Sequence, residues 1–166
     1  TIAKLAVVST VSIFLALNAS DVFAAGAHGG GHGKTSPTGQ AGKASDVSRT
    51  ITVMMGDNFY DMENLTVKGG ETIWFKIKNT GSFVHEFNIG TKAMHAGHNK
   101  EMMKMMEHGV LEVDRINHDK MKMDMGNGMT MQHNDPNSVL LEPGKSAEIV
   151  WKFPKNAKTQ IEFACN

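Results

Sequence analysis

Short segments in which apolar and polar residues alternate are the feature that most restricts how this chain can fold. In TIWFKIK, residues 72–78, the side chains of Ile73, Phe75 and Ile77 fall on one face of an extended strand. An alternation with a period of two is typical of a half-buried β-strand. Further strands are predicted within residues 49–55, 65–67, 82–90, 138–153 and 159–165. Gly-Gly and Pro-Gly turn signals separate these short segments, so the sequence predicts an all-β sandwich.

One of these segments, SFVHEFNIG, carries a histidine among aromatic residues. Its spacing puts Phe83, His85, Phe87 and Ile89 on one face of the strand. Such a histidine is more often a buried residue with one hydrogen bond, and a single cysteine such as Cys165 is more often a small apolar residue. On separate strands of one sandwich, however, an imidazole and a thiolate form a ligand pair that suits copper.

The N-terminus has the pattern of a secretory signal. Lys4 precedes an apolar run from Leu5 to Leu17, and small residues follow to a cleavage site at Ala24–Ala25. The run has thirteen residues, whereas a membrane-spanning helix, the alternative interpretation, needs about 20. We therefore predict a signal peptide over residues 1–24 and a soluble, periplasmic mature protein that does not associate with the membrane.

A segment rich in glycine and serine follows the predicted signal, over residues 25–48. Up to Asp46 it lacks aliphatic anchors that could order it, so a flexible tail is expected. His28 and His32 lie in this segment and either bind a metal ion weakly or are incidental. A single folded domain, the predicted β-sandwich with its insertion, is expected over residues 49–166.

Charge and cysteine content narrow the functional classes. The chain has 17 basic and 17 acidic residues and no long basic block, so binding to nucleic acid or to an anionic membrane is not expected. Cys165 is the single cysteine and cannot form an internal disulfide. In an exported protein it is reactive, paired with another molecule or bound to metal.

Residues 91–134 differ in composition from the rest of the chain. They hold ten of the thirteen methionines and five of the eight histidines. A connection of this length inside a small β-domain predicts a functional insertion. A short helix is expected within residues 99–108, and MKMDM at 121–125 would place its methionines on one side if extended.

Thioether sulfur favours Cu(I), while imidazole accepts either oxidation state, so the insertion predicts additional copper binding. The alternative is a methionine-rich amphipathic helix that packs on the sandwich. The candidate ligands are His95, His98, Met102, Met103, Met106, His108, Met121, Met123, Met125, Met129, Met131 and His133.

The segments NLTVKGGETIWFKIKNTGSFVHEFNIG, LLEPGKSAEIVWKF and IEFACN, in this order, resemble the cupredoxin family of plastocyanin and azurin. The closest similarity is to its periplasmic copper-resistance branch. The resemblance implies a Greek-key β-sandwich with copper, Cu(II)/Cu(I), as cofactor. It also implies that His85 is the first imidazole ligand and Cys165 the thiolate ligand.

The chain departs from this family in two respects. Plastocyanin and azurin carry an asparagine after the first histidine, where this chain has Glu86. Family members also place a second histidine and a methionine shortly after the cysteine. We expect these remaining ligands to lie beyond Asn166 in a longer chain.

The function expected from these features is that of an exported copper-binding cupredoxin, not an enzyme, that binds or transfers copper in periplasmic copper tolerance. A periplasmic copper donor, copper acceptor or redox protein is the expected partner. The main alternative is a blue-copper electron-transfer protein. A multicopper enzyme would need several such domains, and a metal-free adhesion-type sandwich would fail to bind copper.

Overall fold

Two β-sheets pack face to face in the computed structural model, which describes residues 36–122, 135–157 and 160–165. In chain order the strands are β1 (Gln40–Ala41), β2 (Arg49–Gly56), β3 (Phe59–Tyr60), β4 (Thr72–Asn79), β5 (His85–Gly90), β6 (Ser138–Leu141), β7 (Ser146–Lys152) and β8 (Glu162–Ala164). The first sheet has the order β1-β7-β4-β2-β3 and the second the order β6-β5-β8. Strands β2 and β4 run parallel, and the other pairs are antiparallel. The all-β sandwich predicted from the sequence is confirmed.

The core between the sheets follows the alternation read from the sequence. On β4, the side chains of Ile73, Phe75 and Ile77 are buried, whereas Lys76 and Lys78 point to solvent. The second sheet contributes apolar side chains to the same core. Aromatic rings join the two layers, with the ring centroids of Phe75 and Phe87 5.4 Å apart. Burial of this apolar surface is the main stabilising contribution to the sandwich.

The insertion contains two helices, α1 (Lys92–Glu107) and α2 (His118–Met121). Helix α1 begins earlier than the predicted short helix because Thr91 caps it, accepting a hydrogen bond from the N–H of Met94 at 3.3 Å. Met102 and Met105 are buried with Leu140 of β6 in a second apolar cluster, called the outer apolar cluster from here on. The helix therefore packs on the outer face of the second sheet, as the alternative interpretation of its methionines proposed.

Three expectations differ from the structure. Residues 65–67 form no strand, although Leu65 and Val67 pack against the core. The flexible tail expected through residue 48 is ordered from residue 36, where β1 pairs with β7 and the Trp151 Nε1–H donates to the carbonyl of Thr38 at 2.8 Å. The strand expected over 82–90 begins only at His85, and Phe83 is exposed.

Several sequence predictions fall on other parts of the chain. The predicted signal peptide, His28 and His32 lie outside the described residues. Within the described ranges, no helix is both long and apolar enough to cross a bilayer.

Candidate metal centre

His85 and Cys165 come together at one end of the second sheet. His85 is the first residue of β5, and Cys165 directly follows β8. The two strands pair antiparallel, with Asn88 opposite Ala164, and this register brings the two side chains to the same end. The Sγ of Cys165 lies 3.9 Å from the Nδ1 of His85. The two residues singled out in the sequence are therefore neighbours.

The separation of these two atoms fits a shared metal ion. Bonds to a bound metal measure about 2.0 Å for imidazole nitrogen and about 2.3 Å for thiolate sulfur, so two ligands of one ion lie within about 4.3 Å of each other. The distance of 3.9 Å falls within this limit. The donor set, a borderline nitrogen and a soft sulfur, suits copper.

A carboxylate fixes the other side of the His85 ring. The Nε2 of His85 lies 2.9 Å from the Oδ1 of Asp57. Asp57 also accepts hydrogen bonds from the backbone N–H groups of Ser82 and Phe83. The hydrogen bond with His85, followed by that from Ser82, lowers the pKa of Asp57 to about 2. An Nε2–H donated to this ionised carboxylate leaves the Nδ1 lone pair directed towards Cys165, an arrangement typical of metal-binding histidines.

The sulfur of Cys165 accepts a hydrogen bond from the protein backbone. The N–H of Glu86 lies 3.3 Å from Sγ, at a point where the β8 ladder has ended. Although Cys165 as a residue is exposed, its thiol lies against this peptide group. Burial of the thiol raises the pKa of Cys165, the Glu86 N–H acts in the opposite direction, and the negative charge of Glu86 raises the pKa further. The backbone donor is oriented to stabilise a thiolate, the form that binds metal.

The side chain of Glu86 is fully buried directly behind the His85–Cys165 pair. Its Oε1 accepts hydrogen bonds from the Nε2 of His98 at 2.7 Å and from the Nδ2 of Asn88 at 3.3 Å. The hydroxyl of Ser138 donates to the same oxygen. A buried carboxylate needs such partners to offset its loss of hydration. Sequence reasoning noted Glu86 only as a departure from asparagine and missed this network.

His98 lies among acidic side chains. Besides Glu86, the Oε2 of Glu101 lies 3.5 Å from its Nδ1. Burial alone would lower the pKa of His98, but the hydrogen bond with Glu86 and the charges of Glu86, Glu101 and Asp135 outweigh it and leave that pKa raised. Binding of a metal ion at either nitrogen would disrupt one of these contacts.

The other candidate ligands of the insertion are divided between two faces of α1. His95 and Met102 are buried, the first against Gly90 and the second in the outer apolar cluster. Met103 and Met106 are 55% and 60% exposed, and His108 is exposed at the end of the helix. Met121 packs partly against the outer cluster. The remaining candidates, Met123, Met125, Met129, Met131 and His133, lie outside the described residues.

Within the described residues, no three histidine, cysteine, aspartate or glutamate side chains cluster as a metal site would require. His85 and Cys165 are the predicted ligands whose donor atoms the structure brings to within 3.9 Å of each other. Further ligands of other types or from other parts of the chain would have to complete a metal site there.

The chain is similar to proteins from three bacteria. It is 46% identical over 146 residues to the copper-resistant cuproprotein CopI of Pseudomonas aeruginosa, covering 84% of this chain and 76% of that protein. The protein of the same name from Rubrivivax gelatinosus is 36% identical over 142 residues, covering 85% and 70% of the two chains. That from Vibrio cholerae is 26% identical over 133 residues, covering 79% and 64%.

Solved structures of two auracyanins are also similar. Dithionite-reduced auracyanin from Roseiflexus castenholzii is 24% identical with a TM-score of 0.46, covering 72% of this chain and 85% of that chain. Auracyanin B is 13% identical with a TM-score of 0.49, covering 77% and 84%. Both TM-scores are below 0.5, so these two structures do not assign a family to the chain.

No family model matches the chain. The assignment depends instead on the relatives from Pseudomonas and Rubrivivax, whose identities extend over most of both chains. It agrees with the resemblance to copper-resistance cupredoxins inferred from the sequence. The chain belongs to the family of copper-resistant cuproproteins named CopI.

Proposed function

We propose that this protein binds copper through the Nδ1 of His85 and the Sγ of Cys165 and contributes to copper tolerance outside the cytoplasm. The observation that carries the proposal is the 3.9 Å approach of these two atoms. The Nε2 of the His85 ring is hydrogen-bonded to Asp57, and the Cys165 sulfur accepts a hydrogen bond from the Glu86 N–H. Bound copper would supply a centre that cycles between Cu(II) and Cu(I).

Two further observations support this role. The relatives from Pseudomonas aeruginosa and Rubrivivax gelatinosus are named copper-resistant cuproproteins. The signal-like pattern of residues 1–24 supports export to the periplasm. Copper ions are the proposed partner, and a periplasmic copper donor or acceptor would exchange them with the site.

The exposed part of the insertion is proposed to gather copper for this site. Met103 and Met106 are exposed and three residues apart on α1, a spacing that puts their side chains next to each other. His108 follows at the end of the helix. Two thioethers and an imidazole form a soft donor set suited to Cu(I).

Substitution of the central ligands tests the copper site. In the copper-loaded protein, Cys165→Ala is expected to abolish the thiolate-to-copper absorption and His85→Ala to remove or strongly shift it. His118→Gln is the matched control, because His118 is exposed on α2. Persistence of the absorption in Cys165→Ala would refute the ligand assignment. The copper content of each variant shows whether the insertion binds additional ions.

The tolerance role needs a test that leaves the fold intact. Deleting residues 91–134 would also remove Met102 and Met105 from the outer apolar cluster. The triple substitution Met103→Leu, Met106→Leu and His108→Gln removes exposed donors only. In a strain that lacks its own copy, this variant is expected to restore copper tolerance less well than the unmodified protein. Full restoration would exclude these three side chains from the role.

Electron transfer is the second candidate function, with a redox protein as partner. It is favoured by the hydrogen bonds that fix both ligands, between His85 and Asp57 and from the Glu86 N–H to Cys165. A site that keeps its geometry in both oxidation states transfers electrons with little reorganisation. A reversible potential with fast electron self-exchange would support it. We propose no enzymatic activity for the protein.

A further inference from the structure

Glu86 is connected both to the sulfur of Cys165 and to the insertion. Its backbone N–H donates to the Cys165 Sγ at 3.3 Å, while its side-chain Oε1 lies 2.7 Å from the Nε2 of His98 on α1. One residue of β5 thus contacts the metal centre through its main chain and the insertion through its side chain. The contact with Cys165 and the contact with His98 are therefore made by the same residue, with no other residue between them.

The side chain of Glu86 has little freedom. It is fully buried, and His98 is 8% exposed, so water does not compete effectively for their hydrogen bond. The raised pKa of His98 is consistent with a charge-assisted contact. Losing the His98 donor would remove part of the compensation for a buried carboxylate, and the side chain would have to move towards other donors.

Movement of Glu86 would change the hydrogen bond that its backbone N–H donates to the Cys165 sulfur. The peptide N–H that is donated to Sγ belongs to the same residue, and β8 ends one residue before Cys165, so this donor lies beyond the last strand pair at this edge. On its other side, β5 pairs Glu86 with Leu140 of β6, where Ser138 also contacts the carboxylate. The orientation of Glu86 therefore depends on both β6 and α1.

We propose that His98 is a positioning residue for the metal centre, acting through Glu86 to fix the backbone N–H that is donated to the Cys165 sulfur. In this role His98 does not bind copper. It links the insertion to the hydrogen bond that the Cys165 sulfur accepts. The expected change in absorption and reduction potential rests on the proposed copper site. The expected change in the exchange of the Glu86 amide does not, because it is measured in the metal-free protein.

The physical consequence follows from the charge on sulfur. A hydrogen bond to the thiolate stabilises the more electron-rich, reduced form of the site more than the oxidised form. Hydrogen bonding around the cysteine sulfur is one of the factors that set the potential of cupredoxin-type centres. Loosening the Glu86 donor is expected to lower the reduction potential and to shift the thiolate-to-copper absorption.

Two substitutions of His98 separate positioning from packing. In His98→Gln, the side-chain amide can reach the position of the imidazole Nε2 and donate to Glu86. In His98→Asn, the shorter amide reaches only the Nδ1 position, so the contact with Glu86 is lost. His118→Asn is the matched control on the exposed surface of α2.

The first readout is hydrogen–deuterium exchange of the Glu86 amide, measured by NMR in the metal-free, full-length protein. We expect exchange to be about tenfold faster in His98→Asn, corresponding to the loss of one buried hydrogen bond. In His98→Gln it should stay close to that of the unmodified protein. The amide of Ile77, in the central strand β4 of the other sheet, reports global opening and should not change.

The second readout is the absorption and reduction potential of the copper-loaded proteins. His98→Asn should shift the absorption and lower the potential, and His98→Gln should restore both. The proposal is overturned if His98→Asn leaves the Glu86 amide and the spectrum unchanged. Equal effects of both substitutions, or equal acceleration at Glu86 and Ile77, would also overturn it by indicating a purely structural role.

The two proposals fail in distinguishable ways. If the unmodified protein shows no thiolate-to-copper absorption, the copper assignment falls, while the amide exchange still tests whether His98 holds Glu86. If His98→Asn does not fold, His98→Leu, which fills similar space but cannot donate to Glu86, takes its place in the comparison. Faster exchange of the Glu86 amide in His98→Leu than in His98→Gln supports positioning, and equal exchange in the two variants refutes it.

Discussion

The Nε2 of His85 lies 2.9 Å from the Oδ1 of Asp57, on the side of the ring away from Cys165. This carboxylate also accepts hydrogen bonds from the Ser82 and Phe83 amides, so it joins the loop before β5 to the turn between β2 and β3. The orientation of the proposed copper ligand is therefore determined by a residue well before it in the chain.

The first prediction concerns this carboxylate. Asp57→Asn removes the negative charge but keeps an oxygen that accepts hydrogen bonds. Because outer-shell partners of metal-binding histidines typically contribute 10–100-fold to metal affinity, we expect copper affinity to fall by about tenfold, at the lower end of that range. A competition titration with a copper chelator measures the change.

The control for this prediction is Asp114→Asn, which removes an exposed aspartate in the loop between α1 and α2. It should leave the copper affinity unchanged. An equal loss in both variants would mean that overall charge, not the orientation of His85, determines the affinity.

The second prediction concerns the packing of the insertion helix. Met105 is 1% exposed and lies in the outer apolar cluster, whereas Met103 on the same helix is 55% exposed. Met105→Ala should lower the free energy of unfolding by about 2–5 kcal/mol, because it removes buried atoms and leaves a cavity. Met103→Ala should change it by less than about 0.5 kcal/mol.

Urea unfolding followed by circular dichroism measures both changes. A negligible effect of Met105→Ala would mean that α1 does not contribute to the stability of the domain. A separate, earlier transition for α1 would show that the insertion unfolds independently of the sandwich.

Much of the sandwich could be predicted because its strands carry their own signals. The period-two pattern of β4 and the Pro143-Gly144 turn between β6 and β7 are local properties of the sequence. Strand β1 is different, since GQAGKASD contains no apolar anchor. Its order depends on pairing with the edge of β7 and on the hydrogen bond from Trp151 to Thr38, which are contacts distant in sequence. Residues 65–67 show the converse, an alternating segment that finds no partner strand.

The candidate site was predictable only in part for the same reason. His85 and Cys165 stand out by residue type and by their places in strands. Asp57 lies in a GDN turn that any hairpin could contain, and Glu86 has no pattern that would predict its burial. Their roles arise because the fold brings residues far apart in sequence to within hydrogen-bonding distance of one another.

The third prediction concerns backbone strain in the turn next to Asp57. Asn58 has a φ of 115° and is the one non-glycine residue with a positive φ in the described part of the chain. Glycine adopts this conformation without steric cost. Asn58→Gly should therefore raise the free energy of unfolding by about 1 kcal/mol, at the lower end of the usual cost of such conformations.

Thermal and urea unfolding of the metal-free protein measure this change. Asn64→Gly, at an exposed site with ordinary backbone geometry, is the control and should not be stabilising. Destabilisation by Asn58→Gly would show that its side chain contributes more than the strain costs.

The last prediction concerns the ion pair at the start of β2. The Nε of Arg49 lies 2.6 Å from the Oε1 of Glu71, and the backbone N–H of Lys68 donates to the Oε2 of Glu71 at 2.8 Å. Partial burial acts to raise the pKa of Glu71, but the hydrogen bonds from Arg49 and Lys68 outweigh it, so the pKa is lower than its ordinary value of 4.5. A carboxyl group with a lowered pKa in the folded state stabilises the protein when ionised.

The sign of the pH dependence follows from this shift. The contribution of Glu71 is fully present above pH 4.5, the ordinary pKa, and is lost as the pH falls through the lower pKa of the folded state. Because the Arg49 side chain is 40% exposed, screening by solvent limits the contribution to about 1 kcal/mol. Glu71→Gln should therefore be less stable than the unmodified protein at pH 7 and approach it as the pH falls below 4.5 and through the lower pKa of the folded state. Urea unfolding across this range, with the exposed Glu107→Gln as control, measures the difference. A stability gap between the two proteins that does not depend on pH would show that the glutamine loses packing or hydrogen bonds and not charge.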